Sequence, residues 1–184
     1  MRAALSVLCI MSVATGNLAW AKTSTDAVSV DVVQPNNPQI DFPGFVAIAA
    51  EVQDVRATRL LDLSAFQEMA VEPGVLLLDA RSADAFEQGH ISGAINLPLP
   101  DFTAQSLRAT IGSNADRPIL IYCNNNFLNN VAPVVRKMVT LALNIQTMIN
   151  LHGYGYSNVY ELGEAVDLTE PQVRWVAGEA NITG

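Results

Sequence analysis

Cysteine is nearly missing from this chain, with two in 184 residues, Cys9 and Cys123. Histidine is as scarce, at His90 and His152, and ten basic residues stand against eighteen acidic ones. Each shortage excludes something. Two cysteines allow at most one internal disulfide. Two distant histidines with so few thiols make no credible metal site, and neither a metal nor a cofactor is expected. The acidic balance argues against nucleic acid or an anionic membrane surface as a partner. The length suits one domain with a hydrophobic core and is too short for two of ordinary size.

What is present begins with MRAALSVLCIMSVATGNLAWA, residues 1–21. Arg2, a short apolar run and the closing Ala19-Trp20-Ala21 predict an export signal cut after Ala21. A membrane anchor is the competing reading. The apolar run is broken by Thr15, Gly16 and Asn17, however, and falls short of the ~20 residues that span a bilayer. Cys9 lies too early to be a lipid-attachment cysteine. Cleavage would leave a chain without a membrane span, periplasmic in destination, carrying Cys123 as its single thiol in an oxidising compartment. Losing Arg2 takes the basic count to nine against eighteen acidic residues, a formal charge of −9.

Residues 22–44 are polar, with Pro35, Pro38 and Pro43, and read as an extended arm with one possible edge strand in AVSVDVV. The domain proper is expected over 45–177, with a tail at 178–184. Phe45, Ile48, Ala49, Val52 and Val55 share one face of a helix ending at Arg56. A short strand at Arg59–Leu61 and a helix from Asp62 or Ser64 follow. The runs VLLLDAR, AINLPL, RPILIYC and NVYEL then read as strands, alternating with helices in SADAFEQG, DFTAQSLRATIG and LNIQTMINLHGYG. The alternation predicts an α/β fold, a mostly parallel five-stranded sheet with helices on both faces.

The stretch LLLDARSADAFEQGHISGAINLPL, Leu76 to Leu99, closely resembles the first half of a rhodanese-like domain. Asp79, Arg81, Gly89, His90, Ile91, Gly93 and Ala94 occupy the positions of that family's Asp-x-Arg and Gly-His-Ile-x-Gly-Ala signatures. Farther on, ILIYC resembles the strand that ends in the family's active cysteine, and GYSNVYEL its last strand entry. The resemblance spans roughly Leu60 to Leu162. It implies a sulfurtransferase in which Cys123 takes a sulfane sulfur from a small donor, holds it as a persulfide and passes it to a thiol acceptor, with room for a protein partner. The alternative is a binding or thiol redox-sensing module that keeps the fold without turnover.

Cys123 falls at the carboxyl end of a strand, where open α/β sheets bind their ligands. A nucleophilic cysteine needs a lowered pKa and a place for an anion. The backbone amides of Asn124, Asn125, Asn126, Phe127 and Leu128 are the expected cradle, with Asn125 and Asn126 side chains adding neutral hydrogen bonds. Asn126 stands where the family usually has glycine, and asparagine tolerates the left-handed backbone such a turn asks for. The loop carries no Arg or Lys before Arg136 and Lys137, so small anionic donors such as thiosulfate should bind weakly. A phosphatase would want arginine six residues beyond the cysteine, where Asn129 lies.

Asp79, Arg81 and His90 are expected to be structural, His152 to cap a helix end, and Tyr154 and Tyr156 to pack near the last strand. Asn181-Ile182-Thr183 fits a glycosylation acceptor but is a weak signal. Finally, 32 positions separate Cys123 from Gly155, where a helix and two short loops need about 20. The surplus is expected within Phe127 to Leu143, as a lid over the cysteine or a pad against the N-terminal arm.

Overall fold

A computed structural model describes residues 37–177 of the chain. The predicted signal, most of the arm with its edge strand, and the tail with its glycosylation acceptor lie outside the described residues. Helix α1 spans Phe42–Arg56, β1 Leu60–Leu61, α2 Leu63–Ala70, β2 Leu76–Asp79, α3 Ala83–Gln88 and β3 Gly89–Ile91. Then come β4 Ile95–Asn96, α4 Ala104–Ile111, β5 Ile119–Tyr122, α5 Leu143–Gly153, β6 Val159–Leu162 and β7 Trp175–Ala177. The main sheet has the order β1-β6-β5-β2-β4, and every neighbouring pair is parallel. This is the expected five-stranded α/β sheet, with β5 at its centre.

Side chains alternate across a strand, and the alternation divides the core in two. Leu76 and Leu78 of β2, Ile119 and Ile121 of β5 and Val159 of β6 pack with Val52, Leu107, Ile111, Met148 and Leu151 from α1, α4 and α5. Leu77, Leu120, Tyr122 and Leu162 point the other way, onto Phe66 of α2 and onto Ile91, Phe127, Val134 and Val173. Helices therefore cover both faces. In-register pairing sets Asp79 beside Tyr122 on the second face, and Glu161 beside Ile121 on the first. Cys123, two residues beyond Ile121, continues the first face.

Three local features differ from the reading of the sequence. Helix α1 begins at Phe42 rather than Phe45, because Asp41 accepts from Gly44 N at 2.8 Å as an N-cap and Pro43 falls within the first turn, where it needs no hydrogen bond. The arm is thus three residues shorter. A two-stranded antiparallel ribbon, β3 with β7, was not foreseen. Gly89 permits it: a Cβ there would lie 2.6 Å from Trp175 Nε1, so only glycine lets the ring pass. The surplus after Cys123 is real, running from Phe127 to Ala142 with a single 3-10 turn at Val139–Leu141.

Candidate active site

Cys123 ends β5 with only 1% of its surface exposed. It is the N-cap of a short 3-10 turn, Asn124–Asn126, and its Sγ accepts from Asn125 N at 3.4 Å. A second set of donors comes from α5, whose start at Ala142 has no side-chain cap and turns its unpaired amides toward the sulfur. Burial pushes the Cys123 thiol above its ordinary pKa. The amides of Asn144, Asn125 and Leu143 pull it back in part, and the carboxylate of Glu161 pushes it up again. In this geometry the sulfur is a protonated thiol at neutral pH.

The asparagines that dominate the loop hold it together. Asn126 Oδ1 accepts from Cys123 N at 2.9 Å, and its amide nitrogen donates to Leu162 O at 2.6 Å and Glu164 O at 3.1 Å. Asn125 makes a two-point link to the backbone of Lys137, both bonds 2.9 Å. Asn124 donates to Val135 O at 2.9 Å, and Asn130 Oδ1 accepts from Arg136 N at 3.0 Å. Asn129 donates to Asp167 Oδ1 and accepts from Leu168 N, each at 2.9 Å. Irregular backbone has no helix or strand ladder to satisfy it, and here part of it is covered while Val135, Arg136 and Lys137 are exposed. Here side-chain amides, each carrying donor and acceptor, replace the ladder that a helix or strand would supply.

This fixes the roles available to the five expected cradle residues. Asn125 N–H reaches the sulfur. Asn126 N, Phe127 N and Leu128 N instead donate to Cys123 O, Asn124 O and Val166 O. The side chains of Asn125 and Asn126 are engaged as above. Phe127 is wholly buried and meets the rings of Tyr122 and Trp175 edge-on, whereas Leu128 is exposed. The left-handed turn expected at Asn126 is also absent: among the described non-glycine residues, Asn130 and Arg174 have positive φ. A 3-10 turn braced by Asn126's own side chain needs no such conformation.

A cavity of about 280 Å³ reaches Cys123, bounded by Asn125, Asn126, Val139, Ala142, Asn144, Glu161, Glu164 and Arg56. Val139 and Ala142 belong to the surplus segment, which therefore does form part of the wall. Its buried anchor, Val134, packs on the opposite face of the sheet. Arg56 arrives from the last turn of α1 and grips Glu161 with two bonds, Nε to Oε2 at 2.6 Å and Nη2 to Oε1 at 2.7 Å. Asn144 donates to Glu161 Oε1 at 3.1 Å and to Asn126 Oδ1 at 2.9 Å. Lys137 lines a different cavity, of about 360 Å³, with Arg81, Asn124 and Leu143. A wider open groove of about 880 Å³ along α2 is lined by neither cysteine nor histidine.

Asp79 and Arg81 lie on the other side of the sheet. The Arg81 guanidinium bonds both Asp79 carboxylate oxygens, with Nη2 to Oδ2 at 2.6 Å, and Nη2 also donates to Gly89 O at 2.7 Å. Burial holds the Tyr122 hydroxyl well above its ordinary pKa, so it stays protonated and donates to Asp79 Oδ2 at 2.6 Å. His90 stacks on Phe86 with ring centroids 3.8 Å apart and sets Nδ1 2.9 Å from Phe86 O. His152 lies in the last turn of α5, 3.5 Å from Glu51 Oε2. The hydroxyls of Tyr154 and Tyr156 donate to Phe102 O and Gly112 O, away from the cysteine. Among the described residues no group of His, Cys, Asp and Glu is placed to hold a metal, and no helix is long and apolar enough to cross a membrane.

The sequence reading missed Arg56, Glu161 and Asn144. Glu161 was detectable: a carboxylate inside the apolar run VYEL must find a partner once buried. Arg56 reads equally well as a cation complementing the end of α1, and nothing in the sequence links it to residues a hundred positions away.

No curated protein matches the chain. Among solved structures, a crystal structure of the Alr3790 protein from Anabaena sp. is similar at 21% identity and TM-score 0.41, covering 55% of this chain and 68% of that one. The BH2092 protein from Bacillus halodurans matches at 18% identity and TM-score 0.41, over 67% of this chain and 77% of its own. The polysulfide-sulfur transferase homodimer from Wolinella succinogenes matches at 16% identity and TM-score 0.38, over 64% and 77%. A family model described as the rhodanese-like domain matches residues 62–164. More than half of the chain lies within that match, and the chain belongs to the rhodanese-like domain family.

Proposed function

We propose that this protein is an exported sulfurtransferase that carries sulfane sulfur as a persulfide on Cys123. One observation carries the reading: the thiol stands at the carboxyl end of the central strand, meets the amides of Asn125, Leu143 and Asn144, and opens on a cavity sized for a small donor. In the first half-reaction Cys123 attacks the terminal sulfur of an organic persulfide. A new S–S bond forms, the donor's own S–S bond breaks, and the departing thiolate takes the proton released by Cys123. An acceptor thiol then attacks the outer sulfur and receives it as a new persulfide, returning Cys123 to a thiol. The amides at the start of α5 stabilise the charge that develops on sulfur in both steps. Export rests on the first 21 residues alone.

Burial of the thiol and its raised pKa favour a second reading, a thiol redox-sensing or binding module. The readings separate by intact mass after incubation with several persulfide donors. A sulfurtransferase gains one sulfur atom on Cys123 and releases it to a thiol. A sensor gains none, and instead forms a mixed disulfide in an oxidising buffer. N-terminal sequencing of the protein recovered from the periplasm should begin at Lys22.

A further inference from the structure

We infer that the Arg56–Glu161 pair selects the charge class of the sulfur donor, admitting neutral or zwitterionic organic persulfides and rejecting small dianions. The inference rests on the persulfide reading of Cys123 and names the substrate class of that site.

Among the described residues lining the cavity, Arg56 is the one cation, and Glu161 and Glu164 are anions. Arg56 is also the group best able to hold an anionic donor, since a planar guanidinium binds sulfonate or carboxylate oxygens in pairs. Glu161 already occupies that fork with both oxygens, at 2.6 and 2.7 Å. Its side chain is 5% exposed, and Asn144 supports the same carboxylate. A dianion entering the cavity would pass Glu164, an exposed carboxylate that accepts from Leu63 N at 2.9 Å, and would have to displace a buried carboxylate from two charge-assisted bonds.

The remaining polar group points to a donor-bearing ligand. Asn144 is 4% exposed and its amide nitrogen faces two acceptors, which fixes its orientation. Among the described residues its Oδ1 has no hydrogen-bond partner. That oxygen is shielded from solvent, so a ligand N–H reaches it only with a shift of the surrounding side chains, and then satisfies an acceptor that an anion leaves unmet. The hydropersulfide of an aminothiol has both features, an ammonium group and a transferable terminal sulfur.

Alkylation of Cys123 tests the charge selection without turnover. Iodoacetamide and iodoacetate differ little in size and by one unit of charge, and labelling is read at Cys123 by peptide mass mapping. Wild type should prefer iodoacetamide at least about tenfold beyond the ratio shown by free cysteine. Glu161→Gln, which frees the guanidinium, should raise the iodoacetate rate at least about tenfold, and Arg56→Gln should lower it by a similar factor. Arg56 is partly exposed at a helix end, so that variant keeps the test open if Glu161→Gln fails to fold. A wild-type ratio equal to that of free cysteine, or an iodoacetate rate unmoved in a folded variant, overturns the inference. Failure of every donor to load sulfur, with these ratios intact, overturns the persulfide reading instead.

Discussion

Two arginine–carboxylate pairs flank the end of β5, one on each face of the sheet. Asp79 and Arg81 are 0% and 1% exposed, and their hydrogen bonds run inward to Tyr122, Gly89 O and Pro133 O. Arg56 and Glu161 show the same chemistry in a different setting: the Arg56 side chain is 36% exposed and both residues line the cysteine cavity. The closed pair ties β2 to the ribbon and to the surplus segment. The open pair sets the charge of a chamber. A buried ion pair with every group satisfied specifies structure, even where Arg81 borders a neighbouring cavity, whereas a partly exposed pair that lines the cysteine's own cavity is placed to act on what enters.

Variants can break this contrast. Arg81→Leu should be the most damaging, because it leaves the Asp79 carboxylate buried and unpaired; urea melts should show a loss of about 3–5 kcal/mol. Arg56→Gln should cost clearly less in the same melts, and equal losses would end the distinction between the pairs. Asn126→Ala removes the strut shared by Cys123 N, Leu162 O, Glu164 O and Asn144, and should cost about 2 kcal/mol while speeding alkylation of the cysteine. Asn125→Ala removes both exposed bonds to the Lys137 backbone and should cost about 1 kcal/mol, with the clearer effect on labelling by bulky thiol reagents. The smallest effect is electrostatic. The alkylation rate of Cys123 should rise with pH to a midpoint above that of an ordinary thiol, since burial and Glu161 both disfavour the thiolate. Glu161→Gln should move that midpoint down, and no movement would remove Glu161 from the cysteine's surroundings.

Much of this was legible in the sequence for a physical reason. Continuous apolar runs such as VLLLD and ILIYC mark strands buried on both faces, and Asp62, Ser82 and Thr103 each announce a helix by capping it. The Gly89 to Ala94 motif was legible too, because Gly89 must clear Trp175 and Gly93 sits at φ 86°. What escaped was tertiary. The sequence reading makes the backbone amides of residues 124–128 a ligand cradle and lets the side chains of Asn125 and Asn126 add to it, yet a side-chain amide serves a ligand or a loop equally well, and only the path of residues 127–142 decides which. Arg56 lay outside the motif-bearing region. The absence of a cation from the loop was a correct observation about the loop and a misleading one about the site.

The most direct measurement is sulfur loading by intact mass, with equal concentrations of cysteamine persulfide and thiosulfate, on wild type and Glu161→Gln. The account predicts that wild type gains one sulfur atom on Cys123 from the persulfide and little from thiosulfate, and that Glu161→Gln gains it from thiosulfate as well. Wild-type protein that loads faster from thiosulfate, or that loads from neither donor while its thiol remains open to alkylation, would contradict it.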